Sequence, residues 1–177
     1  MEVFQGRPAD VTGRLEKEIA VYDLLDQLDI PFRRVDHDHA DTMEDCLKIE
    51  SILGAKICKN LFLCNRQQTE FYLLCMPGDK PFKTKYLSAQ IGSSRLSFGG
   101  PEDMERLLHL TPGSVTVLGL MYDPDCQVTL LIDQDLYQQT AFGCHPCINT
   151  STVQFSTADL REKLLPALGH PVTLVQL

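Results

Sequence analysis

The sequence predicts a mixed α+β fold, a sheet flanked by helices, and three observations carry that prediction. Apolar residues recur at helical spacing in some segments and gather into short strand-like runs in others. Twice, two such runs follow one another with only a polar turn between them. The alternation of helix and strand also lacks the regular order of a doubly wound parallel sheet. With 177 residues, 44% of them hydrophobic, the chain is long enough for one core and short for two. No linker-like or low-complexity stretch divides it, so residues 1–177 are read as one domain.

The elements follow in order. Residues 11–29 predict an amphipathic helix, because Val21, Leu24, Leu25 and Leu28 extend the stripe of Leu15 and Ile19. Pro31 to Val35 is a short strand. Thr42 followed by Asp45 marks a helix start, and Gly54 its stop. Ile57–Cys64 and Phe71–Met76 predict a hairpin around the polar loop Asn65–Thr69. Lys85–Ile91 is helical and ends at Gly92, and Arg95–Phe98 is a short strand. Pro101-Glu102-Asp103 opens a further helix, since proline suits the first turn and acids suit the positive end of the dipole. Val115–Met121 and Gln127–Asp133 are expected as strands around Asp123-Pro124-Asp125. A strand at Thr152–Phe155, a helix at Thr157–Leu168 and a closing strand from Pro171 to Leu177 complete the chain.

Composition excludes several classes. The N-terminus is mixed and polar, without the apolar centre of a secretory signal, and runs such as Val128–Ile132 are too short to span a bilayer. The expected location is the cytoplasm, with no membrane partner. Sixteen basic against 24 acidic residues give a net charge of −8. That argues against a broad basic face coating DNA or RNA, but leaves room for a small footprint on one RNA end. Seven scattered cysteines in a chain of this size read as reduced thiols rather than a disulfide scaffold.

No Walker loop, Gly-x-Ser-x-Gly elbow, His-Glu-x-x-His helix or dinucleotide fingerprint is present. Three local features remain. Lys59 and Asn60 are polar residues set into a core-like strand. The ordinary reading is a solvated lysine at a strand end; the functional one is an ammonium at a pocket mouth, able to hold a phosphate or polarise an ester carbonyl. Thr111-Pro112-Gly113-Ser114-Val115-Thr116 is either a plain turn or a loop whose glycine lets backbone amides approach an oxyanion. Gly143-Cys144-His145-Pro146-Cys147, continuing to Asn149, invites a zinc or redox reading, with His37 and His39 as recruits. A zinc site needs four ligands at recognisable spacing, and no second Cys-x-x-Cys exists. A pocket lining is the preferred reading, with no metal and no cofactor.

Taken in order, these stretches resemble the editing domain of bacterial prolyl-tRNA synthetase and its free-standing YbaK-like and ProX/PrdX-type relatives. The matching blocks are Lys59–Leu63, Arg95–Phe98, Pro112–Thr116 and His145–Val153, with Val35-Asp36-His37 and Gly169-His170-Pro171 in support. The resemblance implies a partly barrel-like mixed sheet and hydrolysis of a mischarged aminoacyl-tRNA, alanine on the transfer RNA for proline first. It implies Lys59 and Gly113 as catalytic, and His145, Asn60, Ser114, Thr116 and Asn149 as lining the substrate pocket. The implied partner is the acceptor end of a mischarged tRNA, with prolyl-tRNA synthetase as a second one. Alternatives within reach are a deacylase for seryl- or cysteinyl-tRNA, or a non-catalytic amino-acid or tRNA-binding module. One departure stands out: the family loop reads Gly-x-x-x-Pro, and here the fourth residue after Gly113 is Val117.

Overall fold

Two β-sheets that meet along one seam organise the chain, which the computed structural model describes over residues 1–177. In chain order the strands are β1 (Val3–Gln5), β2 (Arg33–Asp36), β3 (Cys58–Cys64), β4 (Phe71–Pro77), β5 (Ser97–Phe98), β6 (Val128–Asp133), β7 (Ala141–Cys144), β8 (Ser151–Ser156) and β9 (Val172–Val175). The helices are α1 (Glu16–Gln27), α2 (Met43–Leu53), α3 (Thr84–Ile91), α4 (Pro101–Leu108), α5 (Gln134–Tyr137), α6 (Thr157–Asp159) and α7 (Leu165–Leu168). One sheet runs β1-β2-β8-β7, wholly antiparallel. The other runs β5-β3-β4-β6-β9, antiparallel on one side of β4 and parallel on the other. Neither sheet closes. A single parallel bridge between Ile57 and Gly143 joins them, and the barrel-like character goes no further than that.

The central hairpin shows why these residues form strands. Cys58 to Cys64 pairs with Pro77 to Phe71 in unbroken register. Asn65 closes the turn by accepting the Thr69 and Glu70 amides at 2.8 and 3.1 Å. Alternation then sends successive side chains to opposite faces. Phe62, Cys64, Leu73 and Cys75 join the main core of 30 buried residues, while Leu63, Leu74 and Met76 pack with Leu87 and Leu96 in a second cluster. Both faces are covered, so the hairpin reads as a nearly continuous apolar run.

Helix α2 carries the start signal that its sequence predicts. Thr42 Oγ1 accepts the Asp45 amide at 3.1 Å, and the Asp45 carboxylate accepts the Thr42 amide at 3.2 Å. Gly54, at φ 66°, closes the other end. Only Ile49 and Leu53 of this helix are buried; Met43 and Leu47 stay 68% and 58% exposed. Helix α1 is tied to the first sheet by Arg14, which donates to Glu18 at 2.6 Å and to Asp36 at 2.9 Å.

Three expectations are corrected. Val115–Met121 is no strand: Val117–Tyr122 forms a 3₁₀ helix. Thr116 Oγ1 caps it by accepting the Leu118 amide, and Gly119 presses so closely on Leu110 that a Cβ there would lie 2.6 Å from its Cδ1. The helix expected at 157–168 is composite, with a π-helical stretch Leu160–Leu164 between α6 and α7. Pro166, the second residue of α7, has no N–H with which to extend an α ladder back into that stretch. Finally, β1, α5 and β7 were not foreseen, each being only three or four residues long. No helix is long and apolar enough to cross a membrane.

Asp123 secures the start of β6. Its buried carboxylate accepts the Gln127 and Val128 amides at 3.0 and 2.8 Å, and its carbonyl accepts a hydrogen bond from His170 Nε2 at 2.8 Å. Replacing Asp123 with alanine orphans two amides at a sealed strand end. Thermal and urea unfolding are expected to show a loss of about 2 kcal/mol or more, roughly 4–8 °C in Tm; an unchanged melt would remove this carboxylate from the fold's supports.

Candidate active site

Lys59 stands near the start of β3, on the side that faces α2. Beside it lies an open hollow of about 410 Å³, bordered by Met43, Cys46, Leu47, Glu50 and Gly78 among others. Lys59 Nζ donates to the Lys80 carbonyl at 2.9 Å and has no carboxylate partner. The carbonyl fixes the ammonium at the rim without neutralising it, so its charge stays available to an anion or a polarised ester. Glu50, on the same wall, is engaged otherwise: it accepts the Ile57 amide at 2.9 Å.

Asn60, one residue on, turns the other way. Its Oδ1 accepts from the Cys75 and Cys58 thiols at 3.1 and 3.5 Å, and its Nδ2 donates to the Cys58 carbonyl. The side chain that the resemblance assigns to the pocket is committed to a thiol cluster beneath the strand.

The loop at 111–116 is a tight turn. The Ser114 amide donates to the Thr111 carbonyl at 3.0 Å, and the Ser114 hydroxyl donates to the same oxygen at 2.8 Å. Gly113 adopts φ +90°, a conformation that side-chain-bearing residues rarely take, and a Cβ on it would lie 3.6 Å from Asn149 Nδ2. Asn149 in turn accepts the Ala40 amide at 3.2 Å and donates to Asp41 at 3.3 Å. It thereby ties the Gly113 turn to the segment that leads into α2. Ser114 and Thr116 are buried, with hydroxyls spent on their own loop. They shape the turn rather than offer themselves to a ligand. Val117, the departure from the Gly-x-x-x-Pro loop that the resemblance implies, is sealed in the core as the first residue of the 3₁₀ helix.

His145 follows β7 directly. Its Nδ1 lies 2.9 Å from the Ser151 carbonyl, which can only accept. Nδ1 therefore carries the proton, and Nε2 presents a lone pair. Burial pushes its pKa below the usual histidine value, with help from His37 and against the Ser151 hydrogen bond. The His37 ring lies 6.2 Å away, centroid to centroid. His37 Nδ1 donates to the Asp38 carbonyl at 2.6 Å, and its Nε2 is hydrogen-bonded with the Thr152 hydroxyl at 2.8 Å.

Lys59 and His145 each lie two residues beyond the seam, His145 just past the end of β7. At the seam itself Ile57 and Gly143 form an isolated parallel bridge. Gly143 makes this possible, since a Cβ there would lie 3.0 Å from the Lys56 carbonyl. The structure thus brings Gly113 to Asn149 and His145 to His37 and Thr152, while the hollow beside Lys59 is lined by neither Gly113 nor His145. Sequence reasoning passed over His37 and Thr152 as neighbours of His145, and the Cys46 and Glu50 wall of α2. Only the placement of His37 at the end of β2 hinted at the first.

The Cys144-x-x-Cys147 pair forms no disulfide, and all seven cysteines are free. Burial pushes the Cys147 thiol up to about 12 and raises Cys144 as well. Neither presents a thiolate at neutral pH, the form that nucleophilic or redox chemistry requires. No cluster of three or more His, Cys, Asp or Glu is placed to hold a metal ion.

Comparison with known proteins places the chain in a family. The model of the aminoacyl-tRNA editing domain matches residues 37–163. The chain is 32% identical over 163 residues to the prolyl-tRNA editing protein ProX of Acetoanaerobium sticklandii, covering 92% of this chain and 99% of that one. It is 30% identical over 169 residues to prolyl-tRNA synthetase associated domain-containing protein 1 of Danio rerio, covering 94% and 88%. A crystal structure described as a candidate trans-editing enzyme for prolyl tRNA synthetase shares the fold, with a TM-score of 0.65 at 16% identity over 92% of this chain and 98% of that one. The chain belongs to the aminoacyl-tRNA editing domain family and is, by that membership, an aminoacyl-tRNA deacylase.

Proposed function

We propose that this deacylase acts in trans on alanine wrongly esterified to the transfer RNA for proline. It works where tRNAs are charged, in the cytoplasm, beside prolyl-tRNA synthetase. The observation that carries the reading is Lys59, whose ammonium is held by a backbone carbonyl and left un-neutralised at the rim of a hollow. Likeness over nearly the full length of a prolyl-tRNA editing protein supports the choice of tRNA.

An aminoacyl ester is already activated, so water can attack it without a nucleophilic side chain if the carbonyl oxygen is stabilised and the ester held in place. In this reading Lys59 holds the terminal adenosine phosphate or the ester carbonyl. The Gly113 backbone amide receives the oxyanion, the Thr111 and Ser114 amides being hydrogen-bonded within the turn, with φ +90° at the glycine and Asn149 behind it. His145 bounds the side-chain pocket, and its Nε2 lone pair suits the substrate's ammonium. Such a pocket rejects proline by size, which a site achieves far better than favouring one extra methylene.

Three outcomes test this. Lys59→Ala is expected to lower kcat/KM on alanyl-tRNA for proline by about a hundredfold or more with an unchanged melt; full residual activity removes the lysine from the mechanism. His145→Ala is expected to raise hydrolysis of correctly charged prolyl-tRNA relative to alanyl-tRNA before the alanyl rate falls, measured on a panel that includes seryl- and cysteinyl-tRNA. The third is a pH dependence of stability. Burial disfavours the His145 imidazolium, so below the ordinary histidine value of 6.5 the unfolded chain takes up the proton first. Stability therefore falls as pH drops through that value. In denaturant melts between pH 7.5 and 5, His145→Gln is expected to flatten that slope; an identical slope would contradict the burial argument.

A further inference from the structure

The net charge of −8 is unevenly spread. Residues 56–100 contain seven basic and only two acidic residues, a net charge of +5, which leaves −13 on the rest. Within that stretch, four cations stand apart. Arg66, Lys83, Lys85 and Arg95 are exposed, and none forms an ion pair or donates a hydrogen bond from its side chain to a protein oxygen. Each of the other twelve lysines and arginines does one or the other.

These four lie together on one edge of the molecule. Arg66 sits in the β3–β4 turn, where its amide donates to Ser94 Oγ at 3.1 Å, next to Arg95. Arg95 borders two hollows, one of about 330 Å³ shared with Arg66 and one of about 490 Å³ shared with Lys85. Lys83 and Lys85 are at the start of α3. Two exposed aromatic rings stand among them, Tyr86 at 57% and Phe98 at 63%. The nearby carboxylate, Glu70, is occupied by the Tyr72 hydroxyl at 3.1 Å. Unpaired cations interleaved with aromatic rings suit a polyanion whose bases can stack, and a protein this acidic gains nothing in stability from crowding like charges on one edge.

The spacing fits the same substrate. Lys59 and Cys64 are five strand steps apart, about 17 Å. A tRNA stem is an A-form RNA duplex with a shorter rise per base pair than B-DNA, so this distance spans several of its base pairs. We infer that Arg66, Lys85 and Arg95, with Lys83, form a phosphate-backbone site that holds the stem of the tRNA while its charged end reaches Lys59. This rests on the deacylase reading for its substrate, but it is testable without catalysis.

The experiment measures binding of an uncharged tRNA transcript to the full chain across a salt series, by anisotropy. Arg66→Glu with Arg95→Glu is expected to weaken binding roughly tenfold or more and to lower the slope of log Kd against log salt by about two, one for each phosphate no longer neutralised. Arg7→Glu with Lys163→Glu changes the net charge equally at distant ion pairs and is expected to bind as the parent does. In parallel, hydrolysis of an alanyl-CCA trinucleotide, which has no stem, is expected to stay within about twofold in the Arg66/Arg95 variant. Unchanged affinity and slope, an equal loss in the control pair, an equal loss on the trinucleotide, or no RNA binding by the parent protein would each overturn the site. Failure of the deacylase reading shows separately, as absent hydrolysis by a parent protein that still binds the transcript.

Discussion

The close backbone approach at Gly143 is the constraint on which the rest depends. Two sheets with different strand directions have to meet somewhere for their cores to merge, and they meet where β7 passes the start of β3. Any side chain at 143 would push against the Lys56 carbonyl. Without that approach the main core would lose continuity, because Phe142 and Cys144 enter it from one sheet and Cys58 and Phe62 from the other. The segments that carry Lys59 and His145 both run on from this bridge, two residues past Ile57 and Gly143.

Much of the fold was legible where a signal is local and strong. The Thr42/Asp45 box and Gly54 delimit α2 as their residue types require, and the β3–β4 hairpin follows from two apolar runs around a polar turn. The failures have physical causes as well. Val115–Met121 is apolar and β-branched enough to read as a strand, but a strand needs a neighbour to complete its ladder. The chain here is instead wedged against Leu110 and capped by Thr116. Strands as short as β1 and β7 carry too few residues for periodicity to speak; they exist because longer strands supply their partners.

The site was legible to a different degree. Lys59 and Gly113 could be singled out because a charge inside a core-like run and a glycine beside proline both violate the local pattern. Asn60, Ser114 and Thr116 share those blocks, yet their polar atoms turn inward to thiols and to backbone. Adjacency in sequence does not tell which way a side chain points in an alternating strand or a tight turn. His37 and Thr152 came together only through the pairing of β2 with β8, a long-range fact that no window of sequence contains.

The thiols bear on how this protein can be handled. Five of the seven are buried, and only Cys46 and Cys126 reach solvent. Cys46 borders the hollow beside Lys59, whereas Cys126 leads into β6 at the end where Val128 pairs with Phe71, the far end of the central hairpin. Alkylating dyes thus have two points of attachment, one at the cleft and one remote from it. A single surface substitution leaves either a reporter of what enters the cleft or a bystander that records only tumbling.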